Sequence, residues 1–270
     1  MARALHEESL AIRRELGYKR GIASALNNLG LVAGEQGDYG KAGAFLRESL
    51  AMMRDLGYKM GIAIVLDSLG LVATAQGNYG RARAFSEESL AISRELGTKG
   101  GNIAYALNNL GIMASREGDY ATARALLEES LSAGRASGDK SGIAYALHTL
   151  GNVVHRQGDD AAALALQEES LAIRRQLGDK LGIAQCLEAL AWLASAKGEG
   201  EAAAKLLGAA EALREAIGAP LPPSDSADHQ HHVAEARALS GVNAFSAAWD
   251  QGRRMPLEQV IKHALQFAAA

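Results

Sequence analysis

The chain has 270 residues, 48% hydrophobic and 22% charged, with a formal net charge of −3. That balance describes a globular chain with ample core, and it supplies no basic field for nucleic acid or an anionic membrane surface. The single cysteine, Cys186, leaves no internal disulfide and fits a reducing, cytoplasmic setting; no run of about eighteen apolar residues is present to span a bilayer.

The first stretch, "MARALHEESLAIRRELGYK", returns as "FLRESLAMMRDLGYK" ending at Lys59, "FSEESLAISRELGTK" at Lys99, "LLEESLSAGRASGDK" at Lys140 and "LQEESLAIRRQLGDK" at Lys180. The serine of the phrase falls at Ser9, Ser49, Ser89, Ser130 and Ser170, in steps of 40, 40, 41 and 40, the extra residue lying in "TKGGNIAYAL". Every later copy follows another helical segment, and the first follows none. Residues 2–19 therefore read as the second helix of a repeat without its first, with Leu5, Leu10, Ile12 and Leu16 partly uncovered. Because a solenoid end usually carries a polar cap, the chain is expected to be a fragment, or a late start, of a longer protein. The alternative is a short protein whose first helix is its cap. The open face also makes a homodimer through this helix an expectation.

Residues 20–217 read as five helix pairs. The first helix of the first pair, "GIASALNNLGLVAGEQ", is apolar at Ile22, Leu26, Leu29 and Val32, which is helical spacing. A "GDY" at Gly37 stops it, and this turn recurs as "GNY" at Gly77 and "GDY" at Gly118, then as "GDD" at Gly158 and "GEG" at Gly198. The second helix, "GKAGAFLRESLAMMRDLG", is apolar at Ala42, Phe45, Leu46, Leu50 and Leu56. Two small residues keep the period. Glycine follows leucine at Gly30, Gly70, Gly111 and Gly151, with Ala191 last, and alanine follows the turn at Ala42, Ala82, Ala123, Ala163 and Ala203. A position without a bulky Cβ substituent suits a helix crossing, so these are read as structural. No segment alternates with period two. Helix pairs stacked at constant step make an all-α fold, an α-solenoid.

After Gly218 the period breaks. Residues 218–228, with "APLPPSDSADHQ" overlapping their end, read as a proline-rich connection, and residues 229–270 as helices capping the stack. Val233, Val242, Phe245, Trp249, Val260, Ile261 and Leu265 are available to cover its open end.

The order Leu29-Gly30, then Gly37, Tyr39 and Ala42, resembles the tetratricopeptide repeat, over roughly residues 2–217. The unit of 40 exceeds that family's usual length of about 34, and leucine (Leu26, Leu66, Leu107, Leu147, Leu187) replaces its early aromatic. This longer variant is similar to those of kinesin light chains, Leu-Gly-Asn-type polarity adaptors and bacterial signalling regulators. The resemblance implies a right-handed superhelix with a concave binding face. The stretches "LLGAAEALREAIGAPLPP" and "FSAAWDQGRRMPLEQVIKHAL" resemble the end of large bacterial regulators that combine a signal-transduction ATPase module with such repeats. Those regulators often add a LuxR-type DNA-binding or adenylate-cyclase domain.

Carried over by register, the family's inner stripe is Ser24, Asn27, Leu31; Ile64, Asp67, Leu71; Tyr105, Asn108, Ile112; Tyr145, His148, Asn152; and Gln185, Glu188, Trp192. Its mix of aromatics, amides and aliphatics suits an extended peptide or a helix of a partner protein, with Tyr105, Tyr145 and Trp192 as anchors. The Lys/Arg clamp of some family members is absent from these positions. No catalytic constellation is found. The cluster "DHQHH" (Asp228, His229, His231, His232) lacks two histidines at i and i+4, so it reads as a solvated helix face. "GDYGKAG" fails the spacing of a phosphate-binding loop. No metal, cofactor or nucleic acid is expected. The function expected is a non-catalytic interaction and sensor module of a larger regulator, or else a free-standing scaffold or adaptor.

Overall fold

The computed structural model describes residues 2–97 and 100–268, so part of the lengthened junction "TKGGNIAYAL" (residues 98 and 99) lies outside the described residues. A first helix, α1 (Ala2–Glu15), precedes five antiparallel pairs: α2 (Lys19–Glu35) with α3 (Tyr39–Asp55), α4 (Lys59–Ala75) with α5 (Tyr79–Glu95), α6 (Gly101–Arg116) with α7 (Tyr120–Ser137), α8 (Lys140–Arg156) with α9 (Asp160–Leu177), and α10 (Lys180–Ala196) with α11 (Gly200–Ile217). A short 3-10 turn (Pro223–Asp225) leads to α12 (Ser226–Ser240), α13 (Val242–Arg254) and α14 (Leu257–Ala268). Each pair packs on the next, and no strand occurs among the described residues. The fold is an α-solenoid closed at its C-terminal end by three helices.

The turn within each pair is made by two adjacent residues. Gly37 takes a left-handed φ of +78° to end α2. Asp38 then accepts the Lys41 backbone N–H at 3.1 Å to begin α3. Asn78, Asp119 and Asp159 cap the next three second helices in the same way.

Each pair is drawn together at one point. A Cβ built on Gly30 would lie 2.6 Å from Leu46 Cγ and 3.2 Å from the Ala42 carbonyl oxygen; on Gly111 it would lie 2.7 Å from Leu127 Cγ and 3.4 Å from the Ala123 oxygen. Ala42, Ala82, Ala123, Ala163 and Ala203 are all fully buried. The recurring serine adds a bond that its conspicuous spacing alone did not explain. Ser49, Ser89, Ser130 and Ser170 donate to the Ala23, Ala63, Ala104 and Ala144 carbonyls at 2.7, 3.1, 2.7 and 2.8 Å. Each hydroxyl ties a second helix to the first helix of its own pair.

Successive second helices are also linked on their exposed edge. Arg14, Arg54, Arg94 and Arg135 pair with Glu48, Glu88, Glu129 and Glu169, and Arg175 pairs with Glu258 of α14. Pairs this exposed contribute about 0–1 kcal/mol each. Glu258 shows that α14 continues the edge where α11 has no acid in register. One continuous core runs from Ala114 to Ala264 and includes Phe245, Val260 and Ile261 of the closing helices. Val242 does not join it; at 68% exposure it stands in solvent at the start of α13. In α1, Leu10 is buried against Leu26 and Leu29, while Leu5, Ile12 and Leu16 are 58%, 49% and 73% exposed.

The two crossings differ in what yields. At Gly70 an added Cβ meets the Ser86 hydroxyl at 3.0 Å, and at Gly111 it meets Leu127 Cγ at 2.7 Å. Alanine in a helix gains about 1 kcal/mol over glycine, and overpacking costs about 1–3 kcal/mol. Gly70→Ala is therefore expected to leave the melting temperature nearly unchanged and Gly111→Ala to lower it, as thermal unfolding followed by circular dichroism will read.

Candidate functional site

The first helices of the five pairs share one inner face. Its second to fifth members converge on a cavity of about 200 Å³ lined by Leu71, Ile112, Tyr145, His148, Asn152, Gln185, Glu188 and Trp192 among others. The stripe falls into two parts that differ in polar partnering.

In the later pairs the stripe is bonded internally. Gln167, at the position that is Leu46 in the first pair and Leu127 in the third, donates to Asn152 Oδ1 at 2.9 Å and to the His148 carbonyl at 3.0 Å. Its Oε1 lies 2.9 Å from His148 Nδ1. Burial first, then the Arg174 guanidinium, pushes the His148 imidazole down to about 3, so at neutral pH the ring is uncharged and donates from Nδ1. Gln185 accepts from Arg174 at 3.0 Å. Glu188 is held by Arg214 through two bonds, at 2.6 and 3.0 Å, with both side chains nearly excluded from solvent. Burial raises the Tyr145 hydroxyl to about 12 and pushes that of Tyr105 higher, with Asp139 the next cause for Tyr105. The two rings lie 6.4 Å apart.

In the earlier pairs the same register is unsatisfied. Asn27 Oδ1, Asp67 Oδ1 and both amide atoms of Asn108 are buried without a hydrogen-bond partner. A leucine faces the asparagines where Gln167 faces His148. The Asp67 carboxyl is raised to about 8 by burial, with the Ser89 hydroxyl pulling weakly the other way. Ser24 is exposed and bonds only its own helix, through the Arg20 carbonyl at 3.0 Å. Ile64 and Leu71, at 41% and 40% exposure, offer apolar surface beside these groups, and Leu31 is half-buried.

Several residues at the site were not singled out by sequence. Gln167, Arg174 and Arg214 come from the second helices; Gln167 stands where the first, third and fifth pairs have leucine, and Arg174 and Arg214 share the register of Met53, Ser93 and Gly134. Arg116 and Arg156 lie four residues beyond Ile112 and Asn152, one turn past the stripe. They bind Asp225 and Asp228, which the connection after α11 brings into the groove. The histidine cluster is accordingly solvated only in part, at His231. His232 stacks on Trp192 with ring centroids 4.5 Å apart, His229 lines the cavity, and Asp228 is the arginine partner. Trp192 Nε1 is buried without a partner. Among the described residues no group of three or more His, Cys, Asp or Glu is placed to hold a metal ion. Cys186 is buried 3.4 Å from the Ser170 hydroxyl, and burial raises its thiol. No described helix is long and apolar enough to cross a membrane.

The tetratricopeptide repeat family model matches residues 1–55, 61–136 and 142–216. No curated protein matches the chain. The crystal structure of BtubC (BKLC) from P. vanneervenii is similar in fold, with a TM-score of 0.57 and 23% identity, covering 82% of this chain and 92% of that one. A putative kinesin light chain of P. anserina with nearly identical TPR-like repeats aligns at a TM-score of 0.48 and 17% identity, over 72% of this chain and 94% of its own.

Two consequences of this arrangement are measurable. Removing Arg214 leaves Glu188 buried and unpaired, so Arg214→Ala is expected to cost about 3–5 kcal/mol in urea unfolding, while Glu188→Leu with Arg214→Met recovers most of the loss. Asp67 keeps its proton to about pH 8 when folded and loses it near pH 4 when unfolded. Its contribution is present in full below the unfolded value and is lost as pH rises through the folded one. Asp67→Asn should therefore flatten the fall in stability between pH 4 and 8 and stabilise the chain at pH 8 by on the order of a few kcal/mol.

Proposed function

This chain belongs to the tetratricopeptide repeat family, generally a non-catalytic protein-interaction fold, and on that premise we propose that it holds an extended protein segment along its concave face. One observation carries the reading: unpartnered polar atoms on Asn27, Asp67 and Asn108, buried in one register beside the exposed Ile64 and Leu71. Burying polar atoms without partners costs about 1–3 kcal/mol each. A peptide backbone, with a donor and an acceptor at every residue, meets that need, while its side chains find apolar contact on Leu31, Leu71 and Ile112. Tyr105 is the aromatic anchor of this open register, with the Tyr145 ring centroid 6.4 Å away; Trp192 is already stacked by His232, and Ser24, His148, Asn152, Gln185 and Glu188 complete the outline of the face.

In this reading residues 20–217 carry the binding surface and residues 229–270 close it. The finer reading, the repeat region and sensor of a larger bacterial regulator, rests on the resemblance of the C-terminal stretch. A second reading, an oligomerising adaptor, is favoured by α1, whose Leu5, Ile12 and Leu16 remain exposed.

Peptides selected from a displayed random library against the full chain provide the test. Asn108→Ala and Tyr145→Ala are expected to weaken selected peptides by about ten-fold, whereas Arg54→Ala on the outer edge leaves them unchanged. Equal binding by all three folded variants would remove the concave face from consideration.

A further inference from the structure

We infer that residues 219–229 are a built-in occupant of the groove, anchored by charge on its third and fourth pairs, and that the partner fitting the groove's C-terminal half is an extended peptide with two carboxylates three residues apart. The inference rests on the groove reading proposed above and assigns the chemistry that this half recognises.

The chain leaves α11 at Gly218 and turns inward. The Ala219 N–H bonds the Arg214 carbonyl at 3.0 Å. Pro220 reaches the turn of the first pair, where a Cβ on Gly37 would stand 3.0 Å from its Cγ. Pro222 is extended, at φ −61° and ψ 145°, the polyproline conformation. Asp225 then meets Arg116 at 2.5 Å, and Asp228, in the first turn of α12, meets Arg116 at 3.0 Å and Arg156 at 2.7 Å. The segment thus touches each of the first four pairs, its 3-10 turn packing on α4 of the second, and α12 continues it onto Trp192 of the fifth. The cavity left beside it, about 200 Å³, is smaller than the roughly 300–1,000 Å³ of ordinary ligand pockets.

The contacts are those of an occupant and not of a core. Within residues 219–229 only Ala219 is fully buried. The rest is half-buried or exposed, and its charged contacts are ion pairs whose side chains are 27–40% exposed, which salt screens. The basic residues occur only where the aspartates lie. The register of Arg116 and Arg156 is Glu35, Ala75 and Ala196 in the other pairs. A tethered segment competes at an effective concentration on the order of millimolar, so an outside peptide has to displace it, and a peptide that reproduces the Asp225–Asp228 spacing makes the same two contacts.

The test uses the full chain and a fluorescent peptide with the sequence of residues 219–231, read by anisotropy. Asp225→Asn with Asp228→Asn, which releases the segment, is expected to bind the peptide at least about ten-fold more tightly than the unaltered chain does. Adding Arg116→Ala and Arg156→Ala, or replacing both aspartates of the peptide by asparagine, is expected to abolish that gain. A released chain that melts normally and binds the peptide no better than the unaltered chain overturns the inference. If library peptides still depend on Asn108 and Tyr145 in that case, the groove reading stands without it. Should the released variant fail to fold, hydrogen exchange of the unaltered chain decides: amides of residues 224–229 are expected to exchange faster at about 1 M than at about 0.05 M salt, and an unchanged rate contradicts the inference.

Discussion

The close approach of the two helices in each pair is the constraint on which everything else depends. Glycine at Gly30, Gly70, Gly111 or Gly151 faces an alanine carbonyl at 3.2–3.6 Å from where a Cβ would be, and the serine hydroxyl about two turns on clamps the crossing. Repeating this contact at a step of 40 or 41 residues sets every first helix in the same relation to its neighbours. An inner face is the geometric result. The outer Arg–Glu contacts, exposed and weak, align the edge but do not determine that geometry.

Within that frame, small changes at one register position divide the groove. Where the second helix presents Leu46 or Leu127, the facing Asn27 and Asn108 lack partners; where it presents Gln167, His148 and Asn152 are bonded. Glu188 obtains its partner from Arg214, seven residues further along α11 than the position of Gln167 in α9. The later half of the groove is therefore largely bonded internally, Trp192 Nε1 excepted, while the earlier half retains open hydrogen-bonding capacity. Buried polar networks impose unique arrangements when complete, which suits the later half to carrying the connection and the earlier half to meeting a partner.

Much of this was legible in the sequence because it repeats. The 40-residue step, the Leu-Gly pair, the turn and its alanine all depend on contacts within about forty residues, and periodicity exposes such contacts directly. The inner stripe could be named by register for the same reason. Its division into two halves could not, because partnering depends on departures from the repeat, Gln167 in the fourth pair and Arg174 and Arg214 in the last two, whose meaning emerges only when two helices face each other. The seating of Asp225 and Asp228 on Arg116 and Arg156 spans up to 112 residues and crosses the axis of the solenoid; no local pattern records it. The histidine cluster looked solvated for that reason, since its covering surface, Trp192, belongs to another element.

The central claim is that partners are held on the concave face. Hydrogen exchange of the full chain, with and without a tightly bound library peptide, tests it most directly. The account predicts slower exchange in α2, α4 and α6, with exchange in α3, α5 and α7 unchanged. Protection confined to α3, α5 and α7 would place the partner on the outer edge and contradict the account.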